Sequence, residues 1–100
     1  MTETQAMVAK LPVLEGNTNT ASIMGWGFNP YISSQDPYYG AQYAVIESVA
    51  KSIAVGGSTE KCWLTVQEYF ERTQNNPSRW GKPMAALLGA SNAQVNLGYG

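Results

Sequence analysis

Histidine is absent from this sequence. No histidine general base, Ser-His-Asp triad or ordinary His-containing zinc site can therefore be assembled from its residues. Charge is also scarce: Asp, Glu, Lys and Arg make up 13% of the 100 residues, about half the usual share. Six Lys and Arg stand against seven Asp and Glu, for a net charge of -1. There is no basic excess to neutralise phosphates, so no nucleic-acid partner is expected. Cys62 is the one cysteine, which excludes an internal disulfide and suits a reducing, cytoplasmic setting. The longest unbroken apolar runs are four or five residues, far short of the roughly 20 that span a bilayer, so no membrane partner is expected. The opening MTETQAMVAK has no positive stretch followed by an apolar one, and no secretory signal is expected.

What is present is an ordinary 44% of hydrophobic residues, with Asn, Gln, Ser and Thr supplying the polar surface. A chain of this length makes one small domain or part of one. Such a domain is expected to bury roughly 60–70% of its unfolded surface in one modest core. A large substrate pocket would compete with that core, so a cleft shared with another chain or domain is the easier design.

Residues 1–10 are polar, with apolar Ala6 to Ala9 near their end. Leu11-Pro12-Val13-Leu14 reads as an edge strand or extended arm because of Pro12, and residues 15–19 as a turn or loop. Thr20 to Phe28 is a plausible strand in which Gly25 and Gly27 suggest a bulge or close backbone approach. Asn29 to Gln35 reads as a loop. Asp36-Pro37 then signals a helix start, with Asp as N-cap and Pro at the first helical position. Behind it Ala41, Ala44, Val45, Ser48, Val49, Ser52 and Ile53 form an amphipathic stripe of small residues, able to pack closely on a sheet. Gly56-Gly57 stops that helix. Lys61 to Gln67 alternates as the strongest strand, with Cys62, Leu64 and Val66 on one face and Trp63 and Thr65 on the other. Glu68 to Arg72 suggests a short helix, Gln74 to Pro83 a loop, and Met84 to Leu97 a second long helix with Leu87, Leu88, Ser91, Val95 and Gly98 near one face. The order strand–strand–helix–strand–helix predicts an α+β fold, with α/β sandwich-like layering. The last residues leave a helix for a loop with nothing after it, as in a piece of something longer.

Several positions could carry chemistry, and each has a plainer reading. Asp36 to Ala41 could form an anion cradle, since a helix N-terminus offers free N–H groups and Gly40 would let a ligand approach the backbone. Equally, Asp36 caps the helix and Gly40 relieves a packing clash. Glu47 could ligate Mg²⁺, or pair with Lys51 one turn later. Glu15 could reach a metal from a strand end, or be a solvated loop acid. Glu68 and Glu71 could act as paired carboxylates, or form a solvated helix face with Arg72. The aromatics read better as core or interface than as base-stacking platforms at this net charge. Cys62 reads as an inert core thiol, having no activating partner.

Four segments together resemble one family. LPVLEGNTNTASIMGWGFNPY, DPYYGAQYAVIESVAKSIAVGG, LTVQEYFER and RWGKPMAALLGASNAQVNLG are similar, in order and spacing, to the large form of phosphoribosylformylglycinamidine synthase (formylglycinamide ribonucleotide amidotransferase), over about Gln5 to Gly98. The resemblance implies an ATP-dependent ligase of purine biosynthesis, using Mg²⁺ and ammonia released from glutamine by a separate glutaminase domain. It implies the N-terminal part of an aminoimidazole ribonucleotide synthetase-like domain, incomplete, at the start of the second synthetase half. Residues 1–19 would be an arm from the preceding region and residues 20–100 the partial domain. That half carries an auxiliary Mg-nucleotide site, often described as structural. Residue by residue, the resemblance implies nucleotide contact at the Leu14 backbone and at Gly40, and metal ligation by Glu15 and Glu47. No catalytic residue is implied here. Lys51 falls where some members have a ligating Asn, and Tyr39 where close relatives often have His. A further family ligand belongs to a Gly-Lys-Asp-Ser motif expected beyond Gly100. The alternative is a non-catalytic segment completing a pseudo-dimeric barrel.

Overall fold

The structure is a computed structural model that describes residues 3–99. Its first element is a hairpin. Strand β1 (Ala6–Lys10) pairs antiparallel with β2 (Ala21–Gly25), Ala6 opposite Gly25 and Lys10 opposite Ala21. Residues 6–10 are thus sheet rather than part of an arm. Pro12 and the turn at Gly16 lie in the connection, and Leu11 N–H continues the ladder to Thr20 C=O at 3.0 Å. Cross-strand pairs share a face. Gly25 and Ile23 belong to the face that meets the long helix, while Met7 and Met24 form an exposed pair on the other.

Three helices follow: α1 (Pro30–Gln35), α2 (Pro37–Ala54) and α3 (Pro77–Leu97). Each begins with the same device, an Asn or Asp cap followed by Pro. The Asn29 carboxamide accepts from Tyr31 and Ile32 N–H, Asp36 from Tyr38 and Tyr39 N–H, and Asn76 from Ser78 N–H. The cap satisfies donors that the first turn leaves free, and Pro gives up an N–H that had no partner there. The expected loop over 29–35 is therefore a helix, and the second long helix starts at Pro77. Pro83 lies inside α3, where its missing N–H costs one backbone bond but does not end the helix. At its far end Gly98 adopts φ 72°, and Gly98 and Tyr99 N–H close a Schellman motif onto Val95 and Gln94 C=O.

The strand expected over Lys61–Gln67 is absent, and so is the short helix at 68–72. The period-two burial holds only in part: Cys62 and Leu64 are half-buried between exposed Lys61, Trp63 and Thr65, but Val66, expected on the same face, is exposed. What is missing among the described residues is a neighbouring strand, and without a ladder the segment is not a sheet. The observed order is β–β–α–α–α, still a mixed α+β arrangement at the coarse level.

The core is thin. Val45, Ala90 and Ala93 pack together with Ala41 and Leu64. On α3 the buried residues are Ala86, Gly89, Ala90 and Ala93, spaced i, i+3, i+4, i+7. The expected face with Leu87, Leu88 and Val95 lies outside, all three exposed. Small residues win the inner position because α2 and α3 approach closely, with the Gly89 Cα against the Tyr38 carbonyl. The aromatics are not core either: Trp26, Phe28, Tyr31, Trp63, Tyr69 and Trp80 are all exposed. The Cα radius of gyration is 16.4 Å, against about 13 Å for a compact 100-residue domain. The surface is 8015 Å², where a compact monomer of this mass exposes about 5,500 Å². The chain buries about half its unfolded surface, less than the length alone predicts.

Candidate functional site

The end of β2 and the middle of α2 form the best-organised polar cluster. They meet because Gly25 and Gly27 carry no side chain. A Cβ on Gly25 would lie 2.5 Å from Ser48 C=O, and one on Gly27 would run into Ala44 C=O and reach 2.9 Å from the Glu47 Cβ. This is the close backbone approach that the two glycines suggest in the sequence. It brings the Phe28 N–H to the Glu47 Oε2 at 3.2 Å. The other carboxylate oxygen of Glu47 lies 2.7 Å from the Lys51 ammonium, one helical turn on. Lys51 in turn sits 5.6 Å from the centroid of the Trp26 ring, within cation–π range. Its side chain is only 19% exposed, against 40% for Glu47. Of the two readings of Glu47, the ion pair with Lys51 is what the side chains form.

The N-terminal end of α2 is arranged differently. The first-turn N–H groups of Tyr38 and Tyr39 are taken by the Asp36 carboxylate at 2.9 and 3.2 Å. Gly40 is buried, and a Cβ there would lie 2.6 Å from Ser33 Cα. Its bare Cα thus serves the packing of α1 on α2. Gly40 also lines an open, mainly apolar cleft of about 380 Å³ between α2 and the 66–71 segment, together with Phe28, Pro37, Phe70, Glu71 and Lys82. Glu71 pairs with Lys82 at 3.2 Å and with Arg79 at 3.6 Å, which fastens that segment to α3. A hydrogen bond from Lys82, and the nearby charges of Arg79 and Lys82, hold the Glu71 carboxyl below the usual carboxylate range. The Glu68, Glu71 and Arg72 cluster is thus a loop lashed to the next helix, not a face of its own.

Leu14 and Glu15 stand apart from both places. They lie in the connection between β1 and β2, Leu14 fully exposed, and Glu15 exposed with no ion pair among the described residues. Gly40 and Glu47 are seven residues apart on one helix, about 10 Å along its axis. The four expected site residues are therefore not gathered around one point. Among the described residues no three His, Cys, Asp or Glu side chains come together to hold a metal ion. Mg²⁺ asks for near-octahedral oxygen ligation at about 2.1 Å, with free carboxylate oxygens. Glu47 has an ammonium 2.7 Å from one oxygen and no gathered acidic side chains to join it among the described residues, so the residues present do not fit the ion. Among the described residues no helix is long and apolar enough to cross a membrane.

Reasoning from sequence misses two members of this cluster, Trp26 and the Phe28 backbone. The available signal is the Gly-Trp-Gly-Phe run itself. Glycines flanking an aromatic at a strand end hold that backbone close to whatever it crosses. Compared with protein-family models, curated proteins and solved structures, the chain matches none.

Proposed function

We propose that this chain is a segment of an ATP-dependent ligase of the large formylglycinamidine ribonucleotide synthase type, and that its role there is structural. In this reading the parent enzyme converts formylglycinamide ribonucleotide, ATP and glutamine to formylglycinamidine ribonucleotide, ADP, phosphate and glutamate. This segment contributes an interface and no catalytic group. Its partners are the rest of the synthase, glutaminase domain included.

The sequence resemblance supports the parent assignment. The observation that supports the structural role is the surface: about 2,500 Å² more than a compact monomer of this mass exposes. Obligate assemblies bury about 2,000–5,000 Å² over both sides, or about 1,000–2,500 Å² per partner, so the excess stands at the upper end of that range. Large apolar side chains on this surface are patterned. Tyr39, Tyr43, Ile46 and Ile53 make an exposed stripe on α2; Trp80, Met84, Leu87, Leu88 and Val95 make another on α3. The 61–72 segment adds backbone with no ladder partner among the described residues, and open backbone groups are what a second chain can pair with.

The auxiliary Mg-nucleotide site remains the second reading, with Leu14 and Gly40 toward ATP or ADP and Glu15 and Glu47 toward Mg²⁺. What favours it is the cleft beside Gly40. What weighs against it is the scatter of the four residues and the engaged Glu47. The test is complementation. A large-form synthase lacking the matching segment should regain glutamine-linked, ATP-dependent product formation when this chain is supplied, and the isolated chain should turn over nothing. If the chain sediments as a monomer and restores no activity, the proposal fails. If activity returns and Glu47→Ala strips bound ADP from the complex, the Mg-nucleotide reading replaces the structural one.

A further inference from the structure

We propose that the Lys51 ammonium is the resident cation of the Glu47 carboxylate and keeps divalent metal ions off it. The inference stands on side-chain geometry and does not depend on the ligase reading. A carboxylate at a strand–helix crossing is an obvious place to look for a metal. Here both of its oxygens already have partners, Oε1 the Lys51 ammonium at 2.7 Å and Oε2 the Phe28 N–H at 3.2 Å, and the first of these partners carries the positive charge that a metal ion would have to face. The ammonium is not a passing surface charge. It is tethered one helical turn away and lies over Trp26, on a side chain that is mostly shielded from water. A divalent ion could reach Glu47 only by displacing Lys51 from both carboxylate and ring, or by sitting within a few ångströms of a like charge. Among the described residues no further acidic side chains gather there to offset that repulsion.

The arrangement also has a mechanical consequence. Trp26 and Phe28 flank Gly27, the residue at which β2 runs onto α2. One side chain from α2, Glu47, holds the backbone after Gly27, and a second, Lys51, holds the ring before it. A bound cation could supply the same pinning of strand end to helix. Here a lysine does so without one, and the pinning cannot be removed by a chelator.

The test is Mn²⁺ binding by the full chain, read as loss of the six-line signal of free Mn²⁺ in electron paramagnetic resonance. The wild type is expected to take up no more Mn²⁺ than Glu47→Gln. Lys51→Gln, which keeps a polar side chain of similar reach, is expected to bind at least about tenfold more tightly than wild type, since it removes a unit charge in contact with the carboxylate. Lys51→Arg is expected to behave as wild type, and adding Glu47→Gln to Lys51→Gln is expected to abolish the gain. Equal response of wild type and Lys51→Gln, strong or absent, overturns the proposal, and so does a gain that survives loss of Glu47. Even if Lys51→Gln fails to fold, Mn²⁺ uptake by the wild type that Glu47→Gln removes is enough to refute it.

Discussion

Two glycines of α3 are expected to respond to the same substitution with opposite signs. Gly81 and Gly89 both lie inside the helix. A Cβ on Gly81 would meet nothing within 4 Å, whereas one on Gly89 would strike the Tyr38 carbonyl oxygen, with Tyr38 C at 2.8 Å and Cα at 3.0 Å. Replacing Gly by Ala in a helix interior is worth about 0.8–1.0 kcal/mol. Gly81→Ala should therefore stabilise by about that amount. At Gly89 the same gain is set against overpacking, which costs about 1–3 kcal/mol. The obstacle is backbone and cannot rotate away, so α2 and α3 must move apart along their whole contact. Gly89→Ala should come out up to about 2 kcal/mol less stable than wild type, leaving about 1–3 kcal/mol between the two variants. The assay is urea denaturation followed by helical circular dichroism, at one fixed protein concentration. If both variants gain stability alike, the close α2–α3 crossing through the Tyr38 carbonyl is wrong.

Asn76→Ala should destabilise by about 1 kcal/mol and fray the first turn of α3, read as faster amide exchange at residues 78–80. A helix that began only after Pro83 would not notice the change. Glu71 is held below its ordinary titration range by Lys82 and Arg79. Its folded value lies under its unfolded one, so its contribution is fully present above the ordinary carboxylate range and is lost as pH falls through the lowered value. Glu71→Gln should show a weaker acid dependence of stability than wild type below about pH 4, by a small margin because the group is solvent-exposed. Identical pH profiles would mean that Glu71 does not fasten the 66–71 segment.

The parts of this fold legible in the sequence are those governed by neighbours along the chain. Asp36-Pro37 and Gly56-Gly57 bound α2 as read, because a cap and a helix stop are local chemistry. The same chemistry stands at Asn29-Pro30 and Asn76-Pro77, and reading those residues as loops overlooks it. Pro83 misleads in particular, since a proline within a helical pattern is usually taken as its boundary. The strand over 61–67 and the inner face of α3 are of another kind. Alternation at Cys62, Leu64 and Val66 records a tendency to extend, but pairing needs a second strand that local sequence cannot name. On α3 two apolar stripes compete, one small and one large, and only the partner decides which goes inside. The candidate site divides in the same way. The i, i+4 relation of Glu47 and Lys51 is visible in the sequence, whereas Trp26 and the Phe28 N–H reach them across a tertiary contact.

That choice of the small stripe couples stability to association. The buried apolar residues are Ala6, Val45, Val49, Ala86, Ala90 and Ala93. An alanine hides little more than one methyl, about 0.8 kcal/mol, while Leu87 or Leu88 would bring about 1.5–3 kcal/mol each if covered. Most of the available hydrophobic driving force therefore lies on the outside of α2 and α3, and the free chain must be marginal. Anything that covers those stripes binds the folded form over the unfolded one, so it raises stability by mass action. In the absence of the proposed partner the chain's own copies are the ready substitute. The melting temperature should accordingly climb as protein concentration is raised about a hundredfold. The replacement of Leu87 and Leu88 by Ser, at exposed positions that leave the α2–α3 contact intact, should flatten that climb. A wild-type melting temperature independent of concentration, in a chain that sediments as a monomer, would mean that the small inner face is sufficient. The exposed stripes would then owe nothing to a partner, and the structural role proposed for the segment would lose its support.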